Sequence, residues 1–135
     1  MNSALDCRAA AALLRSALPA SYAAHVGGIA AFAHRPASAI GYALIALSLL
    51  AWTAVIYYAI RVKLDSELFD MLADDPAKAA SQLDFFLASA RLANAPAGTR
   101  SIEDRIAGGI ALWKRLLIAV AIQLFTLAAA VLLQL

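Results

Sequence analysis

Cysteine occurs once in this chain, at Cys7, so neither an intrachain disulfide nor a multi-thiolate metal site can form. Histidine occurs twice. His25 and His34 stand nine residues apart in a stretch broken by Pro19, Gly27-Gly28 and Pro36, with no third ligand or carboxylate partner nearby, which leaves no metal site and no nucleophile–base pair. A glycine-rich phosphate loop, a nucleophile elbow and a paired-cysteine motif are all missing. This inventory predicts no enzyme, no cofactor, no metal and no small-molecule substrate. Charge is scarce too: Asp, Glu, Lys and Arg make up 15% of the 135 residues, and the formal net charge of +2 is too small to imply nucleic acid.

Apolar residues are abundant, at 64%, with a mean hydropathy of +0.78, which makes the bilayer the expected solvent. From Ile40 to Ile60 the chain runs twenty-one residues without a charge and then meets Arg61-Val62-Lys63. About 20 apolar residues at a rise of 1.5 Å cover a hydrocarbon core roughly 30 Å thick. A second uncharged run, Leu116 to Leu135, follows Lys114-Arg115. The predicted fold is therefore all-α, an integral membrane protein with two transmembrane helices forming an antiparallel hairpin that extends beyond the membrane. Neither span holds an Asp, Glu, Lys, Arg or His, which argues against a transport or proton-relay role.

Four segments follow. Residues 1–37 read as an N-terminal tail, partly helical or disordered, with a short helix from an N-cap at Ser3 towards Leu18 whose leucines share no single face. This tail carries no cleavable signal pattern, and no apolar run precedes Cys7 to mark it for lipidation. Residues 38–73 read as the first transmembrane helix, spanning about 40–60, plus a projecting stalk that Asp74-Asp75-Pro76 ends. Residues 74–100 read as a short amphipathic helix and a turn, its apolar side including the interaction face Leu83, Phe86 and Leu87. Residues 101–135 form a stalk plus the second span, about 116–135. Ser101 supplies the N-cap and Glu103 and Asp104 the first-turn acids that favour the positive end of a helix.

Near the spans, Arg61, Lys63, Arg100, Arg105, Lys114 and Arg115 lie on the loop side against Arg35 alone on the other. Positive residues prefer the cytoplasm, so segment 61–115 is expected inside and both termini outside a multi-pass protein of a bacterial inner membrane. Arg61, Lys63, Lys114 and Arg115 form a membrane-boundary collar able to meet anionic lipid head groups. If those boundaries align, Thr53 and Gln123 share a depth and form an intramembrane polar pair. The acids Asp70 and Asp74 are one turn apart, and pairing with Lys or Arg suits them better than a cation site.

A heptad row, Ile102, Ile106, Gly109, Trp113, Leu116, Val120 and Gln123, marks the seam of the last helix. The matching row on the first is Ala46, Leu50, Thr53, Tyr57, Ile60, Leu64, Leu68 and Met71. Gly108-Gly109 inside a helix reads as close backbone approach in preference to a hinge. These features suggest a non-enzymatic accessory or scaffold subunit of an inner-membrane complex, with membrane lipids and a protein partner or a second copy as its contacts. The alternative is a self-associating, channel-forming protein, for which Ala119, Ala121, Ala128, Ala129 and Ala130 permit close helix approach.

Overall fold

The computed structural model describes residues 3–74 and 101–133, and all the regular structure among them is helical. Helix α1 spans Ser3–Arg15, α2 Leu18–Ala33, α3 Ala39–Asp74 and α4 Ile102–Leu132. The amphipathic helix expected within 74–100, with Leu83, Phe86 and Leu87, lies outside the described residues. Two compact units divide the chain: Met1–Ser16 with Val62–Ala111, and Ala17–Arg61 with Leu112–Leu135.

The N-terminal residues, expected as a partly ordered tail, are helical almost throughout. Pro19 sits in the first turn of α2, where its missing N–H would have been unbonded anyway, and the same lack removes a bond back to Arg15 and separates α1 from α2. Gly27-Gly28 does not break α2. Both glycines are buried, so packing outweighs their poor helix propensity. His25, expected in an irregular segment, is thus helical, and the helix ends at His34, whose backbone is extended shortly before Pro36. At the start of α3 the Ser38 hydroxyl accepts a bond of 3.1 Å from Gly41 N–H.

In the first unit, α1 buries Cys7, Ala10, Ala11 and Leu14, a stripe at helical spacing hidden from leucine counting because three of its four members are small. Across from it α3 buries Val62, Ser66, Phe69, Leu72 and Ala73. Full burial of side chains such as Leu14, Phe69 and Leu72 stabilises by about 1.5–3 kcal/mol each. Gly109 of α4 is the close-approach point: a Cβ there would stand 3.1 Å from Phe69 and 3.5 Å from Leu14. Its neighbour Gly108 is exposed, with no described atom within 4 Å of where a Cβ would be. Gly108→Ala is accordingly expected to stabilise by about 1 kcal/mol, read as a higher midpoint in thermal unfolding, while Gly109→Ala should lower it. The cap of α4 is the one the sequence predicts, with Asp104 N–H donating to the Ser101 hydroxyl at 3.1 Å.

In the second unit, α2 packs on α3 and α4. Ala31, Ile45 and Ala130 form a buried cluster with Leu44, Leu49 and Leu127 against it. The buried row of α4 includes Leu116, Val120 and Gln123, members of the expected seam. The row expected on α3 is corrected. Leu50, Tyr57, Ile60, Leu64 and Met71 are each more than half exposed, whereas Ile45, Ser48 and Val55, then Val62, Ser66 and Phe69, are buried at the same 3–4 spacing on a different face. The physical reason is size. In a helix apolar all round, the face holding small residues, here Ser48 and Ser66, allows the closest approach of its neighbours, and the large side chains of the other faces are left outside.

Candidate functional site in a buried polar interface

Where α2, α3 and α4 meet, the second unit buries polar groups. Gln123 is fully buried, and its Nε2 donates to Ala24 C=O of α2 at 2.6 Å. Ser48 of α3, also fully buried, donates its hydroxyl to Gln123 C=O at 3.3 Å. Thr126 donates to the backbone of its own helix, 2.9 Å from Ile122 C=O and 3.0 Å from Gln123 C=O. The sequence-predicted pair of Thr53 and Gln123 is therefore not formed. Thr53 is exposed and donates to Leu49 C=O of its own helix at 3.1 Å. Ala24, Gly27 and Ala31 are small enough to bring the α2 backbone against α4, so a main-chain carbonyl takes the amide instead.

Burial also removes Gln123 from any helix of another protein, since reaching it would mean displacing α2. Its Oε1 meets no donor among the described residues, a loss of about 1–3 kcal/mol that offsets the bond made by Nε2. Hydrogen bonds between helices in membranes contribute about 0.6 kcal/mol on average. Gln123→Leu is thus expected to change stability by less than about 1 kcal/mol. Guanidinium-free thermal unfolding in detergent, followed by circular dichroism, measures it; a loss of several times that size would mean the amide holds α2 in place.

Beside this amide, Trp52 Nε1 donates to His25 Nδ1 at 3.0 Å, which leaves the ring proton of a neutral His25 on Nε2. The indole is also edge-on to Phe32, with ring centroids 6.1 Å apart. It lies so close over Gly28 that any Cβ there would overlap the ring. Trp52 is thus a packing residue, as its depth in the first uncharged run suggests.

The chain matches no protein-family model, no curated protein and no solved structure.

Of the boundary collar, Lys63, Lys114 and Arg115 are exposed and Arg61 is half-buried. In the first unit the acidic run has partners that sequence spacing did not identify: Arg15 pairs with Asp70, and Arg8 with Asp74 at 3.4 Å. Cys7 is buried on α1, and burial first, then the negative charge of Asp6, pushes its thiol above the ordinary range. Sequence reasoning missed Ala24, His25, Gly28 and Ser48. A signal for most of them was present in the small-x-x-x-small spacing of Ala24 with Gly28 and Gly27 with Ala31.

Proposed function

We propose that this protein is a membrane-inserted accessory or scaffold subunit of a bacterial inner-membrane complex, not an enzyme, with α3 and α4 crossing the bilayer and residues 61–115 in the cytoplasm. The observation that carries the membrane part is exposure. Only 22% of the most apolar stretch of α3 and 33% of that of α4 is buried, whereas the core helix of a soluble protein is mostly buried. Leu47, Leu50, Ile118, Ile122 and Phe125 face outward from residues that carry no charge, a surface suited to acyl chains.

The accessory role is supported by the first unit. Leu5, Leu64 and Met71 are more than half exposed on helices that also carry Arg8, Asp70 and Asp74, and such apolar side chains on a charged surface suit contact with another protein. Leu83, Phe86 and Leu87 remain the proposed interaction face. The collar of Arg61, Lys63, Lys114 and Arg115 would meet lipid head groups. A channel formed by self-association draws less support, because Ser48, Gln123 and Thr126 turn towards their own chain and so line no outward path for water.

Extraction in mild detergent followed by identification of co-purifying proteins tests this reading. A stoichiometric partner is expected. Homo-oligomers with ion leakage on expression would favour the channel, and a monomer with neither property would overturn both. Release of the protein by alkaline washing of membranes would overturn membrane insertion itself.

A further inference from the structure

We infer that α2 is a third membrane-crossing helix, its outward face covered by lipid, so that the N-terminus lies on the same side as residues 62–111; this rests on the membrane reading of α3 and α4. The register within the second unit carries the inference. Ala24 bonds to Gln123, and Ala31 clusters with Ala130, both at an offset of 99 residues, so α2 runs parallel to α4. By that offset Leu18 stands level with Leu117 and Ala33 level with Leu132. Helix α2 therefore covers the same depth as the uncharged run of α4. It runs antiparallel to α3, since His25 meets Trp52 and Ala31 meets Ile45.

The outward side of α2 carries Tyr22, Val26, Ile29 and Phe32, at 67%, 70%, 65% and 71% exposure. With hydrocarbon on both neighbours at that depth, water could not cover this face, and a helix is the form in which backbone polar groups can be satisfied there. Length permits a crossing: between Arg15 and Arg35 lie the 19 residues 16–34 without Asp, Glu, Lys or Arg, which is within the range of about 17–25 that a span needs.

The charge distribution supports it independently. With three crossings, at 16–34, 39–60 and 116–135, ten of the 11 Lys and Arg and all nine Asp and Glu fall on one side, and Arg35 alone on the other. With two crossings, Arg8 and Arg15 join Arg35 outside, against the preference of basic residues for the cytoplasm. It would also tear Arg8 and Arg15 from Asp74 and Asp70.

The test places single cysteines at Asn2→Cys, Ala37→Cys and Ala90→Cys in a Cys7→Ala background and treats intact bacterial spheroplasts with a membrane-impermeant maleimide. Residue 37 should react in intact spheroplasts, and residues 2 and 90 only after lysis. Reaction of residue 2 from outside, with 90 protected, would overturn the inference while leaving two crossings standing. Reaction of residue 37 on the same side as residue 2 would overturn it as well. Recovery of the protein in the soluble fraction after alkaline washing would show that the membrane reading had failed instead. A green fluorescent protein fused ahead of Met1 of the unsubstituted chain gives a second readout without cysteine changes. Fluorescence is expected, because this reporter matures in the cytoplasm and not after unfolded export, and a dark, stably inserted fusion would count against the inference.

Discussion

Gly28→Val is expected to loosen α2 from α3 more than any other single change in that helix. A Cβ at position 28 would overlap the indole of Trp52 at Cδ2, Cε2 and Cγ, the middle of a rigid fused ring, which cannot give way as the tip of a flexible side chain can. Trp52 is further fixed by its bond to His25 and its edge contact with Phe32. Relief requires α2 to move or the indole to turn, and either breaks the His25 bond. Overpacking of this kind costs typically about 1–3 kcal/mol, and the two methyl groups of valine should place this change at the upper end. Gly27→Ala is the contrast. Its Cβ would stand 3.2 Å from Leu124 Cδ2 and 3.5 Å from Leu127 Cδ2, both ends of side chains that can give way. Fluorescence of Trp52 in a Trp113→Phe background measures the difference. A shift and a lowered unfolding midpoint are expected for Gly28→Val and little change for Gly27→Ala; equal behaviour would mean that α2 is not seated on Trp52.

Those glycines also show where sequence reading succeeds and where it stops. Two long apolar helices, the cap at Ser101 and the buried row of α4 follow from periodicity and charge alone, because they are local or repeat every turn. The partner of Gln123 does not. Depth matching pairs it with Thr53 only if two helices are present, and a third helix of which half is Ala and Gly has no strong apolar period to announce itself. Its hydrophobicity is spread around the whole circumference, which is the mark of a helix that packs by closeness of backbone, not by a leucine stripe. The buried row of α3 escaped for the same reason: Ser48 and Ser66 occupy it and Leu50 and Leu64 do not. The ion pairs of Arg8 and Arg15 lie 66 and 55 residues from their partners, a separation no local pattern encodes.

Leu14→Ala should produce the largest loss in the first unit, and it separates packing from charge as the force that holds α1. Leu14 is 1% exposed and faces Gly109, so truncation leaves a cavity and is expected to cost about 2–5 kcal/mol. Arg15→Ala removes an ion pair whose side chains are 47% and 38% exposed, and exposed pairs contribute about 0–1 kcal/mol. Leu13→Ala, at a residue 38% exposed, should also cost little. Cys7 reports the outcome, since its buried thiol must be uncovered before it reacts. Its pKa is raised in the folded state, so the stability linked to the protonated thiol is fully present below the ordinary thiol range and is lost as pH rises through the folded value. Alkylation of Cys7 at mildly alkaline pH should therefore be slow in the native chain, much faster in Leu14→Ala, and nearly unchanged in Arg15→Ala and Leu13→Ala. If Arg15→Ala exposed Cys7 as fully as Leu14→Ala does, the ion pairs and not the apolar face would be what anchors α1.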